Sequence, residues 1–227
     1  MAVKAQKGDG HGSLKQMQNL INQHQDIINS KLKQSFPKLS KDTIEWVSPL
    51  EKDHFAEYTD DDFIKVLGLD PDEIKLKDFW PARGANWDGL AKTDKGRVIL
   101  VEAKAHIPEM VSPASTASVK SLVQIREALN QTKAFLGKGR NIDWSGTFYQ
   151  YTNRVAHLYY LREVCNKEVY LINVYFVGDE SVKGPKTIEE WKGAIQIMQL
   201  YLGLHSHKLK KYMADIFIDV QELSSSF

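Results

Sequence analysis

The stretch VILVEAKA, residues 98–105, constrains this chain most. Successive side chains of an extended strand point to opposite faces, so a run that is apolar on both faces is covered on both sides. A central strand in a layered α/β fold follows. Yet this strand carries Glu102 and Lys104, residue types rarely buried unless paired. The preceding Thr93-Asp94-Lys95-Gly96-Arg97 has the form of a three-residue hairpin loop, a type I turn whose glycine takes the left-handed position. With Thr93 facing Arg97, Asp88 falls opposite Glu102 on the same face, and Lys104 points the same way. A two-residue turn would send Asp88 to the other face, so the reading depends on Gly96.

Carboxylates facing each other across a strand pair have Cβ atoms about 5 Å apart and repel. Lys104 supplies one compensating charge. A hard divalent cation would use the remaining oxygen ligands: Mg²⁺ takes one or two carboxylates and leaves positions for water and substrate phosphate. A lysine beside such an ion can orient or deprotonate an attacking water, or neutralise charge developing at phosphorus. The competing reading is an exposed Glu102–Lys104 pair near a strand end, with Asp88 an ordinary turn residue. His106 continues the same face as a neighbour of the site rather than a ligand.

Elsewhere, residues 13–36 have helical apolar spacing. Ser48-Pro49-Leu50-Glu51 reads as a capped helix start running to about Tyr58. Thr59 would cap a short helix ending at Gly68, its three aspartates at the positive end of the dipole. A helix stopped by glycine is expected over SVKSLVQIREALNQTKAFLGKG, and a second from about Phe148 to Asn166. EVYLINVYFVGDE reads as a central strand, Thr187 and Glu190 as the capping box of another helix, and MADIFIDVQEL as a last strand. The fold class expected is α/β with a mixed central sheet flanked by helices. Residues 1–43 form an N-terminal helical extension and 44–227 the main domain.

The 227 residues contain no apolar run long enough to span a bilayer, and the N-terminus lacks a secretory pattern, so a cytoplasmic protein with no membrane partner is expected. The single cysteine, Cys165, excludes an intrachain disulfide or a cysteine zinc cluster. Net charge is only +1, but residues 80–141 hold 10 basic against 5 acidic residues, compatible with a phosphate-bearing partner. Gln150, Asn153, Arg154 and His157 line one face of the expected 148–166 helix. They form either a solvated stripe or one turned toward a site. Trp80, Arg83 and Trp87 flank the hairpin entrance, where they could meet bases and phosphate or simply join the core.

Asp88, thirteen intervening residues and then Glu102-Ala103-Lys104 resemble the PD-(D/E)XK nuclease superfamily, with Trp87 in place of the proline before the first acid. The resemblance covers about residues 44–178. It implies a restriction-endonuclease-like core (helix, three-stranded meander, helix, strand) and a phosphodiester hydrolase. Asp88, Glu102 and the backbone carbonyl of Ala103 would bind Mg²⁺ or Mn²⁺, and Lys104 would act on the attacking water. It further implies a glutamine or basic residue from the following helix, hence Gln150 and Arg154 toward substrate, with Arg83 a further candidate. A metal-binding glutamate from the first core helix would be Glu57, since Glu51 is accounted for by its cap. A solvated face competes for Glu57.

The implied partner is nucleic acid, DNA first, and a homodimer would suit cutting of both strands of a duplex. Two alternatives stay open: a non-catalytic nucleic-acid-binding or assembly module of the same fold, and an unrelated α/β protein with a structural Glu102–Lys104 pair.

Overall fold

The computed structural model describes residues 3–6, 8, 10–137 and 142–224. In chain order the elements are β1 (Val3–Lys4), α1 (Gly12–Gln23), α2 (Gln25–Ser35), β2 (Ile44–Ser48), β3 (Glu57–Tyr58), α3 (Asp60–Val66), α4 (Pro71–Ile74) and α5 (Leu76–Phe79). Then follow β4 (Gly89–Thr93), β5 (Val98–Lys104), α6 (Val119–Leu136), α7 (Tyr149–Tyr159), β6 (Val169–Val177), α8 (Ile188–Leu202) and β7 (Met213–Asp219). Five strands make one sheet in the order β2-β4-β5-β6-β7. β2, β4 and β5 are mutually antiparallel, whereas β5, β6 and β7 run parallel, so the sheet is mixed. The fold is α/β.

β5 is central, and its first six residues are buried. Its alternate residues feed two cores. Val98 and Leu100 pack with residues of α3, α6, α7 and α8 on one face. On the other, Ile99, Val101 and Ala103 meet Met17, Leu20 and Ile21 of α1 and Ile28 and Leu32 of α2. The expected 13–36 helix is broken at His24 into α1 and α2, and the two form a complete covering layer rather than an appendage.

The hairpin register is the one expected from the turn. Gly89 pairs with Val101 and Lys92 with Val98. Gly96 has φ +73°, and its N–H donates to the Thr93 carbonyl at 3.0 Å. Without a Cβ, glycine adopts that left-handed conformation at no steric cost. Beside the turn, the fully buried Asp42 carboxylate accepts from Lys95 at 2.6 Å and Arg97 at 2.8 Å, and Arg97 also reaches Glu168 at 2.9 Å. Part of the basic excess of residues 80–141 is therefore consumed at the turn end of the hairpin, roughly 20 Å along β5 from Lys104.

Residues 49–58 do not form the expected helix. Ser48 ends β2 and its hydroxyl donates to the Ala56 carbonyl, so it caps nothing. Only Glu51–Asp53 make a single 3₁₀ turn, His54 and Phe55 both have φ near +52°, and Glu57–Tyr58 pair with Val3–Lys4. The local capping signal, typically about 1 kcal/mol, loses to strand pairing and burial. α3, α6, α7 and α8 lie where expected, but the Thr59 side chain makes no capping bond to α3, and the short α4 and α5 were not anticipated. Ser118 caps α6, which ends at Gly137 with φ +66°, and Thr187 caps α8. α7 begins at Tyr149 and its last turn, Tyr160–Val164, widens to a π-helix.

Candidate active site

Asp88 stands where β4 leaves β5. Its N–H still donates to the Val101 carbonyl at 3.2 Å, the last rung of the ladder. Beyond that rung the side chain takes over from the backbone, the Asp88 carboxylate accepting the Ala103 N–H at 2.7 Å. Because the N–H and C=O of one strand residue face the same neighbour, the Ala103 carbonyl also faces the gap that Asp88 occupies.

Glu102, one rung further, is paired in register with Asn173 of β6, and Asn173 with Asp215 of β7. The β4–β5 register ends at Gly89 and Val101, and Asp88, bonded to Val101 one residue out of step, lies close enough to Glu102 for the two charges to repel. Glu102, Asn173 and Asp215 thus form one polar row across β5, β6 and β7, with Asp88 beside it at the Ala103 N–H. Asn173 donates to Asp215 at 2.9 Å. Asn173 and Asp215 belong to the site's surroundings and were not singled out from sequence. Asn173 carries a signal like that of Glu102, a polar residue inside an apolar strand, whereas Asp215 lies in a strand that alternates apolar and polar.

Two cations meet the two acids. The Lys104 ammonium contacts Glu102 Oε1 and donates to Gln150 Oε1 at 2.9 Å. Arg154 Nε donates to Glu102 Oε2 at 2.6 Å, another guanidinium nitrogen reaches the Asn86 carbonyl, and its Cζ lies 4.7 Å from the Trp87 ring centroid. The face of α7 that includes Gln150 and Arg154 is therefore turned inward, with one residue holding each charged partner. Arg154 engages an acid and a backbone carbonyl, a positioning role for Glu102 rather than an open phosphate grip. His157, one turn on, is buried with Nδ1 2.9 Å from the Asn153 carbonyl, its ring 4.8 Å from Trp80 and 5.8 Å from Trp87.

The electrostatics divide the two acids. Burial opposes charge on Glu102, but Arg154 and then Lys104 outweigh it and hold its pKa below the usual range. Asp88, with no cation in direct contact, is pushed up to about 7, first by desolvation and then by the Glu102 charge. Burial alone would lower the Lys104 pKa, yet Glu102 and Asp88 raise it, so the ammonium stays charged. A carboxylate held against its neighbour's charge has a use for a further cation, and two carboxylates plus a carbonyl are the hard oxygen donors that Mg²⁺ or Mn²⁺ takes. The donor types match that preference, while both Glu102 oxygens are already held by Lys104 and Arg154.

Other candidates lie elsewhere. Glu57 is in β3, off any helix, and among the described residues no three His, Cys, Asp or Glu side chains gather as metal ligands, so it does not complete a trio with Asp88 and Glu102. Arg83 lines a separate cleft with Trp80 and Tyr149. His106 is 3.1 Å from Glu109. A cavity of about 20 Å³, room for about one water, adjoins Glu102, Lys104 and Gln150. No helix among the described residues is long and apolar enough to cross a membrane. Comparison with protein-family models, curated proteins and solved structures finds no match for the chain.

Proposed function

We propose that this protein is a metal-dependent nuclease that hydrolyses phosphodiester bonds of DNA. The observation that carries the reading is the proximity of Asp88, Glu102 and Lys104 where β4 and β5 part. The topology supports it: a meander of β2, β4 and β5, then helices, then β6 parallel to β5, is the order of a restriction-endonuclease-like core.

Asp88, Glu102 and the Ala103 carbonyl would hold Mg²⁺ or Mn²⁺, which when bound supplies Lewis acidity and a more acidic water. Lys104 keeps its proton against burial, so it serves as a donor that orients the attacking water and offsets charge at phosphorus, rather than as a base. Gln150 fixes the ammonium by accepting from it, and Arg154 fixes the Glu102 carboxylate.

The test is cleavage of supercoiled, linear and single-stranded DNA and of RNA, with Mg²⁺ or Mn²⁺ and with chelator. Metal-dependent cutting of DNA that Lys104→Ala abolishes is expected. Cutting that survives that substitution, or no cutting of any substrate by the parent protein, overturns the reading.

A second reading rests on one observation: with Arg154 and Lys104 each on an oxygen of Glu102, two acids and two cations already balance. That balance suits a non-catalytic nucleic-acid-binding or assembly module of the same fold. It predicts binding without cutting on the same panel.

A further inference from the structure

A cleft of about 570 Å³ lies beside the candidate active site, between the Trp80–Gly84 loop and the segment leading into α6, with Tyr149 and Asn153 of α7 lining it as well. Its size suits a small ligand. α7 serves both places: Gln150 and Arg154 turn to Lys104 and Glu102, while Tyr149 and Asn153, one position earlier each, line the cleft.

Three kinds of recognition converge there. The first is for an anion. The N-terminus of the 18-residue α6, capped by Ser118, opens on the cleft, and a helix N-terminus favours negative charge. Across from it stands Arg83, exposed, its guanidinium without an ion-pair partner among the described residues. Its loop is fixed: the Asp60 carboxylate accepts the Arg83 N–H at 2.9 Å and the Gly84 N–H at 3.0 Å. That carboxylate is thereby engaged with backbone donors, and no Asp or Glu lines the cleft.

The second is for a flat ring. Tyr149 and Ile125 supply apolar wall, with the Trp80 ring behind, 6.5 Å from Tyr149 and near-parallel at 23°. The third is for a polar edge. Asn153, only 6% exposed, lines the cleft with its Oδ1 lacking a hydrogen-bond partner. An unpaired amide oxygen so enclosed is costly unless something completes it. An N–H donor of a ligand reaching Asn153 from the cleft would complete it.

A nucleotide combines an anionic group, a planar ring and an N–H donor at the ring edge. We propose that this cleft is a nucleotide-binding site, taking a nucleoside phosphate as a free molecule or as an unpaired residue of a strand. This assignment does not depend on the hydrolytic reading.

The experiment is calorimetric titration of the full chain in chelator, so that cleavage plays no part. The probes are deoxyadenosine monophosphate, deoxyadenosine, inorganic phosphate and a single-stranded tetradeoxynucleotide. The variants are Arg83→Ala, at an exposed side chain, and Ser121→Glu. The latter completes a Ser118-x-x-Glu capping box and so favours α6 while placing negative charge in the cleft. The monophosphate should bind, with each variant weakening it about tenfold and loss of either phosphate or base costing at least as much. A tighter tetranucleotide identifies a strand as the source, and equal affinity identifies the free nucleotide. No binding of monophosphate or tetranucleotide, binding unchanged in both variants, or phosphate alone binding as tightly as the monophosphate overturns the proposal.

Discussion

Arg154 Nε donates to Glu102 Oε2 at 2.6 Å, with only 4% and 6% of the two side chains exposed. Removing one partner of such a pair strands the other charge in a medium that cannot solvate it. Arg154→Met should therefore lower unfolding free energy by about 3–5 kcal/mol, and the double variant Arg154→Met with Glu102→Gln should recover a large part of that loss. Urea unfolding of the parent, the two single variants and the double variant closes the cycle. A loss under about 1 kcal/mol for Arg154→Met would show that the pair is not what keeps Glu102 charged in the core.

Gln150 touches Lys104 and no acid, so its removal should disturb chemistry more than folding. Gln150→Ala is expected to slow the chemical step about tenfold with KM nearly unchanged, and to leave the melting temperature within a few degrees. Single-turnover cleavage resolves this. A rise in KM with an unchanged rate would instead make Gln150 a substrate contact.

Asp88 is an acid held against both burial and a neighbouring charge. In the metal-free protein Asp88→Asn should raise stability, because the amide can still accept the Ala103 N–H while the like-charge repulsion disappears. Mg²⁺ at a hundred times its Kd should stabilise the parent by about 2.7 kcal/mol and the variant not at all. Thermal unfolding with and without the ion checks both. An Mg²⁺ response that persists in Asp88→Asn would place the metal elsewhere.

His157 is buried among aromatic rings, and desolvation drives its pKa down to about 4. Its folded value lies below the unfolded value near 6.5, so the unfolded chain binds the extra proton in between. The stability it contributes is complete above pH 6.5 and is lost as pH falls toward 4. Asp88 has the opposite sign over much of this window, its pKa being raised to about 7. The clean quantity is therefore the difference between parent and His157→Leu. The parent should lose about 3 kcal/mol relative to the variant between pH 7 and pH 4. A difference independent of pH would mean that the folded imidazole titrates as it does in the unfolded chain, and a parent that gains stability toward pH 4 would mean that it is protonated in the fold.

The polar row at the centre of the sheet was half legible. Asp88 could be placed near Glu102 and Lys104 because the Thr93–Arg97 turn sets the register within five residues. Asn173 and Asp215 sit on strands whose mutual register no local turn dictates. The sequence also placed Gln150 and Arg154 on one helical face without revealing whether that face met solvent or the sheet.

What the sequence by itself determined was local: the turn at Gly96, the burial of β5 on both faces, the ends of α6 and α8, and the shared direction of Glu102 and Lys104. These follow from backbone sterics and from periods of 2 and 3.6, which act over a few residues. Only the tertiary structure decided that Arg154 meets Glu102 from 52 residues away, that α1 and α2 close the second face of the sheet, and that residues 49–58 form no helix. Those outcomes were set by which distant apolar surfaces buried one another. Such burial outweighs a local preference of about 1 kcal/mol and leaves no periodic mark on the segment it overrides.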